Sequence, residues 1–157
     1  MSKNSNHTTI SGWGGYPLHK TNIVYPKNIN QILTEIKKSD LIARGNGRAY
    51  GDSSINEKKT INMKYFNHIL SFEDKMGILT VESGILLEDI INTFLPRGWF
   101  PYVTPGSKYV TIGGLIAADV HGKNHHKDGS FRNFVEWFEL INSKGQIIKC
   151  SRNENKD

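Results

Sequence analysis

Two glycine-rich segments, residues 43–53 and 105–126, lie far apart in the chain and limit the structures that it can form. Glycines this close together break regular helices and strands, and they let the backbone turn its N–H groups toward one point. Arg44 and Arg48 in the first segment add guanidinium groups that can face an anion. The second segment is rich in small residues that a flat ligand could approach, and it continues into a polar cluster at His121. The pattern predicts a phosphate-bearing cofactor with a reactive ring, and a turn-rich surface loop is the alternative for the first segment.

The balance of charges favours a small phosphate-bearing ligand over a nucleic acid as the partner. Lys and Arg number 20 against 15 Asp and Glu, for a net charge of +5. These charges are scattered along the chain and form no basic tract or basic helix face, which a nucleic-acid-binding surface would require. A chain of 157 residues is long enough to bury a real core as one domain.

Cysteine usage and hydropathy limit the redox chemistry and the cellular location. Cys150 is the single cysteine, so an intrachain disulfide cannot form and redox chemistry would need a borrowed cofactor. The start of the sequence lacks the apolar stretch of a signal peptide, and no apolar run is long enough to cross a bilayer. We therefore expect a cytoplasmic protein, with peripheral contact to a membrane left open.

Hydrophobic periodicity predicts an α+β fold with mixed sheets. Apolar residues spaced i, i+3, i+4 and i+7 predict an amphipathic helix over residues 28–39, with an Asn cap, and a second helix that begins near Leu87 and stops at Pro96. Residues 1–11 are polar and are predicted to be flexible, with order beginning near Trp13. Strands are predicted at residues 41–43, 60–63, 69–72, 78–82, 134–141 and 146–150, with turns at 75–77 and 142–145.

The first glycine segment matches neither of two common nucleotide-binding motifs. It lacks the Gly-Lys-Ser/Thr of a P-loop, and its glycines are spaced G-x-G-x-x-x-G rather than as in the dinucleotide fingerprint. A metal site at His121, His125 and Asp119 is an alternative, since His121 and His125 are four residues apart. Gly122 disfavours the helix that would place both imidazoles on one face, so we predict that no metal is bound.

Three strings together resemble a known family. They are RGNGRAYGD at residues 44–52, PGSKYVTIGG at 105–114 and ADVHGKNHH at 118–126. Their order and spacing resemble the FAD-linked oxidases of the vanillyl-alcohol oxidase superfamily, and within it most of all the decaprenylphosphoryl-β-D-ribose 2′-oxidase group. The likeness runs from Gly12 to Cys150, and HGKNHH is its most selective part.

The resemblance implies a fold and a domain organisation. It implies an FAD-binding domain of the p-cresol methylhydroxylase type at residues 12–157, built from two α+β subdomains with mixed sheets. The first subdomain would cover residues 12–84, and residues 85–157 would form part of the second, which is incomplete. The substrate domain of this family has no counterpart in the sequence, so we expect a fragment of an oxidase.

The resemblance also implies FAD as the cofactor and a set of site residues. The first loop would surround the diphosphate, and the second segment would lie along the flavin and its ribityl chain. The implied cofactor-binding residues are Ala43, Arg44, Gly45, Asn46, Gly47, Arg48, Ala49, Tyr50, Gly51, Asp52, Ser53, Gly106, Thr111, Ile112, Gly113, Gly114, Ala118, Asp119, Val120 and His121. Many relatives attach FAD covalently through a histidine of the first loop, which this chain lacks, so we predict non-covalent FAD.

The implied reaction is oxidation of a secondary alcohol of a sugar. His121 would act as a positioning group or proton acceptor, and Lys123 would be a charge partner for the substrate or the flavin. The substrate implied by the most similar group is a polyprenyl-phosphoryl sugar. A short-chain dehydrogenase-type reductase would then complete an epimerisation in the synthesis of a cell-wall arabinan precursor. An alditol or aldonolactone oxidase fragment, a non-catalytic FAD-binding module and a metal-dependent hydrolase are the alternatives.

Overall fold

The computed structural model describes residues 7–155, and in them it contains three β-sheets and several short helices. The strands are β1 His7–Ile10, β2 His19–Val24, β3 Ile42–Arg44, β4 Thr60–Asn62, β5 Ile69–Glu73, β6 Ile78–Val81, β7 Trp137–Ile141 and β8 Ile147–Ser151. The α-helices are α1 Ile29–Ile36, α2 Leu87–Phe94, α3 Ile112–Ala117 and α4 His125–Asp128. Two 3-10 turns span Leu95–Arg97 and Phe131–Phe134. The predicted α+β class is confirmed.

The first sheet positions the first glycine segment. Its strand order is β1-β2-β4-β3, with β1 antiparallel to β2 and with β2 and β3 both parallel to β4, so it is a mixed sheet as predicted. Parallel neighbours need a long crossover connection, and residues 45–59 form the one from β3 to β4. The glycine loop therefore starts at the carboxyl end of a parallel strand, where ligands of α/β sheets commonly bind.

The N-terminal part of the sheet corrects the prediction that residues 1–11 are flexible. His7–Ile10 pair with β2 in a continuous antiparallel register from His7 opposite Asn22 to Ile10 opposite His19. Backbone pairing orders this polar stretch, although its side chains are mostly exposed and have no apolar pattern. Residues 1–6 lie outside the described residues, and β2 itself was not predicted.

The other two sheets are antiparallel hairpins, so the predicted mixed character holds for the first sheet alone. The predicted turns at 75–77 and 142–145 are confirmed, with Gly77 and Gly145 at φ 68° and 74°. β7 begins at Trp137 rather than at residue 134, because Phe131–Phe134 form a 3-10 turn.

The two helices with a clear apolar stripe are confirmed. The Asn28 side chain accepts a hydrogen bond from the Gln31 N–H and caps α1. α2 ends before a 3-10 turn that contains Pro96, and Gly98 follows at φ 84°. α3 and α4 were not predicted, since their glycines and polar residues are typical of loops. No helix within residues 7–155 is long and apolar enough to cross a membrane.

One aromatic core joins the β5–β6 hairpin to α2. The ring centre of Phe72 lies 4.5 Å from that of Phe94 and 5.5 Å from that of Trp99. Ile85 and Ile90 are buried in the same cluster. The predicted subdomain boundary between residues 84 and 85 stays a prediction, and this shared core favours a boundary before β5.

A buried lysine leads to a first prediction, on stability. Lys59 is 7% exposed, and its Nζ lies 2.5 Å from Glu35 Oε2. The Nζ of Lys38 lies 2.7 Å from the other carboxylate oxygen, Glu35 Oε1. The hydrogen bonds from Lys38 and then Lys59 hold the pKa of Glu35 below its usual value. We expect Glu35→Gln to lower the free energy of unfolding at pH 7 by about 3 kcal/mol, because it leaves Lys59 buried without its counterion.

The pH dependence of this effect has a defined sign. A depressed folded pKa stabilises the fold above the unfolded pKa of about 4.3, and this contribution is lost as the pH falls through the lower folded value. The gap between wild type and Glu35→Gln in urea denaturation should therefore be full at pH 7 and should narrow below about pH 4. Glu57→Gln, at a carboxylate whose side chain is 79% exposed, is the matched control. An equal gap at both pH values would contradict this assignment.

Candidate functional site

The structure brings the two glycine segments into contact at the carboxyl end of β3. The Asn46 side-chain amide donates a hydrogen bond of 2.9 Å to the Tyr109 carbonyl. Gly45 packs directly on Thr111, so that a Cβ at position 45 would overlap the Thr111 side chain. Residues 45–46 and 109–111 therefore form one continuous surface.

Arg44 ties the first loop to Ser11 and Ser54. Its guanidinium donates to the Ser11 carbonyl at 2.7 Å and to the Ser54 hydroxyl at 3.2 Å. Gly47, at φ 67°, packs against the same guanidinium. Burial lowers the pKa of Arg44, and the nearby Tyr25 opposes that shift. Part of the Arg44 guanidinium is therefore used within the protein, and its predicted contact with the cofactor stays a prediction.

Trp13 completes the first loop from the N-terminal side. The Trp13 N–H donates to the Ala49 carbonyl at 2.7 Å, and Gly12 lies against the carbonyls of Ala49 and Gly51. The guanidinium carbon of Arg48 lies 4.2 Å from the centre of the Trp13 ring. The sequence pattern predicted Trp13 only as the point where order begins, and the signal for its place in the loop was the pair of glycines at positions 12 and 14.

The first loop exposes a run of free main-chain donors. The backbone N–H groups from Asn46 to Tyr50 donate no hydrogen bond to any residue in the range 7–155. All of these residues are at least partly exposed. Asp52 and Ser53 are exposed beyond them, and the Ser53 hydroxyl donates to the Tyr50 carbonyl at 3.3 Å. Consecutive free N–H groups of this kind suit phosphate oxygens.

The predicted site residues in and before α3 fall into two groups: some attach the helix to the protein, and others leave open space. Ile112 and Gly113 attach the helix to the protein, since their N–H groups donate to the carbonyls of Ile85 at 3.0 Å and Ser83 at 2.8 Å. Gly114, Ala117 and Ala118 instead leave an exposed surface of small side chains. A Cβ at Gly106 would meet no protein atom within 4 Å, and one at Gly114 would meet only the Thr111 hydroxyl at 3.2 Å. Protein packing thus explains Gly113, whereas Gly106 and Gly114 leave space for a ligand.

The histidine segment lies beside the start of the same stretch. Gly122 is buried against the backbone of Thr104, and the Asn124 amide donates to the Tyr102 carbonyl at 2.9 Å. Residues 102–111 therefore contact the histidine segment at one end and the first loop at the other. His121 and Lys123 are both exposed, and the His121 ring centre lies 5.2 Å from that of His125.

Asp119 has a structural task that the sequence did not reveal. It sits at φ 40°, and its carboxylate accepts hydrogen bonds of 3.0 Å from the Ser130 hydroxyl and from the Arg132 N–H. Burial raises the pKa of Asp119, but the hydrogen bonds from Arg132 and Ser130 outweigh it, so the pKa lies below its usual value. The Val120 carbonyl accepts from the Phe131 N–H at 2.8 Å. The Asp119 side chain thus holds the backbone before His121 in place, and its predicted contact with the cofactor stays a prediction.

The alternative of a metal site gains no support from the side chains. Within residues 7–155, no three His, Cys, Asp or Glu residues lie close enough together to hold a metal ion. α4 begins at His125, so His121 lies outside it and the two imidazoles share no helix face.

Comparison with known sequences points to flavin-dependent proteins. The family model described as an FAD binding domain matches residues 21–151. The chain is 41% identical over 145 residues to decaprenylphosphoryl-β-D-ribose oxidase of Mycolicibacterium smegmatis, covering 88% of this chain and 32% of that protein. It is 27% identical to D-lactate dehydrogenase of Anaerostipes hadrus, covering 70% of this chain and 23% of that protein. The chain thus spans about a third or less of these relatives' length.

Solved structures show the same fold. The chain superimposes on 6-hydroxy-D-nicotine oxidase of Arthrobacter nicotinovorans with a TM-score of 0.81 at 17% identity, covering 92% of this chain and 33% of that one. A variant of BBE-like 1 from Physcomitrella patens gives a TM-score of 0.76 at 16% identity, covering 88% of this chain and 32% of that one. At these identities the likeness shows the fold alone.

Proposed function

Because this chain belongs to the FAD binding domain family and has the p-cresol methylhydroxylase-type fold, we propose that it is the FAD-binding part of an oxidoreductase that oxidises a secondary alcohol of a sugar. The proposed substrate is a polyprenyl-phosphoryl sugar, since the chain is considerably more similar to decaprenylphosphoryl-β-D-ribose oxidase than to D-lactate dehydrogenase. A short-chain dehydrogenase-type reductase as the partner belongs to the same proposal.

The residues present fit FAD, and the free donors of the first loop carry this conclusion. Five consecutive backbone N–H groups, from Asn46 to Tyr50, have no acceptor among the described residues. They suit the two negative charges of a dinucleotide diphosphate. On the neighbouring segment, Gly106 and Gly114 leave room for a flat ring to approach the backbone. These two properties meet where Asn46 contacts Tyr109.

The chemistry divides between the cofactor and the side chains. When bound, FAD supplies an acceptor for the hydride that leaves the carbinol carbon. In this proposal the exposed His121 imidazole accepts the hydroxyl proton, and the nearby Asp119 carboxylate attracts the resulting positive charge. Lys123 lies two residues away with an exposed ammonium that can pair with an anionic group of the substrate.

A spectroscopic experiment tests the cofactor and its mode of attachment. We expect the purified chain to take up added FAD, shown by its visible absorbance, and to release all of it into the supernatant on acid precipitation. The physical reason is that the first loop offers Arg48, Ala49 and Tyr50 but no histidine for a covalent link. Flavin that stays in the pellet would contradict non-covalent binding, and a chain that takes up no FAD would contradict the proposed function.

The substrate class has its own test. The test adds a separately expressed substrate domain of the family, because the sequence has no counterpart of it. In this FAD-loaded mixture without oxygen, farnesyl-phosphoryl-β-D-ribose should bleach the flavin absorbance, whereas D-lactate should leave it unchanged. His121→Gln, which keeps a polar side chain but removes the base, should slow the bleaching by about a hundredfold or more. Bleaching by D-lactate alone would replace the sugar with a hydroxy acid as the substrate.

A further inference from the structure

Arg48 differs from the other arginines of the described residues. Of the other four, Arg44, Arg132 and Arg152 donate to protein oxygens, and the exposed Arg97 donates to none among the described residues. Arg48 donates to none, and its Nε is buried without any hydrogen-bond partner in the range 7–155. The two terminal amino groups of Arg48 also lack a protein acceptor, but they are not enclosed in the same way. The penalty for a missing acceptor applies to the buried Nε, whereas the two open amino groups leave the guanidinium free to bind an anion.

Trp13 explains how this guanidinium is held. The Arg48 guanidinium carbon lies 4.2 Å from the centre of the Trp13 ring, a distance typical of a cation–π contact. Trp13 is itself tied to the same loop, because its N–H donates to the Ala49 carbonyl at 2.7 Å. The ring covers one side of the guanidinium and leaves the charge without a counterion.

The free backbone donors of the first loop are contiguous with this cation. Arg48 lies in the middle of the run from Asn46 to Tyr50, whose N–H groups have no acceptor among the described residues. Arg44, the neighbouring cation, is already engaged by Ser11 and Ser54. The charge that the loop presents to a ligand therefore comes from Arg48.

We propose that Trp13 and Arg48 form a phosphate clamp, in which Arg48 binds a phosphate oxygen and Trp13 is the positioning residue that holds its guanidinium over the loop. The inference rests on the proposed function, which supplies two sources of phosphate: the diphosphate of FAD and the phosphodiester of a polyprenyl-phosphoryl sugar. A bidentate guanidinium contact suits either one.

Flavin titrations with and without phosphate test the clamp. We expect Arg48→Gln to weaken FAD binding by about tenfold or more and to leave riboflavin binding unchanged, because riboflavin has no phosphate. Trp13→Leu should give the same selective loss. The double variant should bind FAD no more weakly than Arg48→Gln alone does, because Trp13 acts through Arg48. Arg97→Gln is the matched control, since this guanidinium also lies over a ring, at 5.5 Å from the centre of Phe94.

The remaining outcomes identify the source of the phosphate or overturn the clamp. If FAD binding by Arg48→Gln is normal but geranyl phosphate binds the FAD-loaded chain at least tenfold more weakly, the clamp holds the substrate phosphate. Two results for Arg48→Gln would overturn the clamp. One is an equal loss of affinity for FAD and for riboflavin, and the other is an unchanged affinity for both FAD and geranyl phosphate. If the wild-type chain takes up no flavin, the proposed function fails by itself. In that case calorimetry with inorganic pyrophosphate tests the clamp. If the clamp exists, Arg48→Gln binds pyrophosphate more weakly than Arg97→Gln does.

Discussion

Gly114→Leu is expected to lower the affinity for FAD by at least about a hundredfold, or about 2.7 kcal/mol, while the chain keeps its fold. Gly114 is exposed on α3, and a Cβ there would meet only the Thr111 hydroxyl, at 3.2 Å. The protein therefore tolerates a side chain at this position, and a helical glycine replaced by leucine gains roughly 1 kcal/mol of helix propensity. FAD binding does not tolerate this side chain, because the leucine would fill the space through which the flavin ring approaches the backbone.

Fluorescence titration with FAD measures this loss, and urea denaturation checks that the fold is intact. Asn92→Leu is the matched control, because it adds the same side chain at an exposed position of α2 that makes no hydrogen bond or ion pair with either glycine segment among the described residues. We expect Asn92→Leu to bind FAD like wild type. Normal FAD binding by Gly114→Leu would show that this face of α3 is not the cofactor surface.

Gly45→Ala should disrupt the contact between the two glycine segments. The added methyl group would overlap the side chain of Thr111, which also caps α3 by accepting from the Gly114 N–H at 3.3 Å. Displacing Thr111 costs the cap, about 1 kcal/mol, and overpacking adds about 2 kcal/mol more. We expect the free energy of unfolding to fall by about 3 kcal/mol and FAD binding to weaken by at least about tenfold.

A double-mutant cycle separates this collision from a general loss of stability. Thr111→Ala removes the two atoms that a methyl group at position 45 would strike most directly, so Gly45→Ala should cost much less in that background. Gly106→Ala is the control, since a Cβ there would meet no protein atom within 4 Å and should leave stability nearly unchanged. Additive effects of Gly45→Ala and Thr111→Ala would contradict direct contact between the segments.

Periodicity in the sequence was enough to predict the elements with one clear apolar stripe. α1 and α2 carry apolar residues at helical spacing, and the structure places both, at Ile29–Ile36 and Leu87–Phe94, within their predicted ranges. β1 shows the opposite case, because its order comes from pairing with β2 rather than from its own side chains. A local pattern cannot report a hydrogen-bond partner that lies elsewhere in the chain.

Residue types predicted which segments carry the candidate site, but not what each side chain does. The Arg44 guanidinium binds the carbonyl of Ser11, 33 residues earlier in the chain. The Asp119 carboxylate likewise accepts hydrogen bonds from Ser130 and Arg132, more than ten residues later in the chain. Both side chains looked available to a ligand in the sequence, and both are engaged by the protein.

By itself, the sequence determined the class of the protein: its α+β pattern, two glycine segments suited to a diphosphate, and strings typical of FAD-linked oxidases. Only the tertiary structure decided which glycines are needed for packing, as at Gly45 and Gly113, and which leave space for a ligand, as at Gly106 and Gly114. It also decided that Arg48, held by Trp13, is the cation left without a protein acceptor in the first loop. The physical reason is that turn-forming and anion-binding tendencies belong to residue types, whereas a side chain's partner is set by contacts between distant segments.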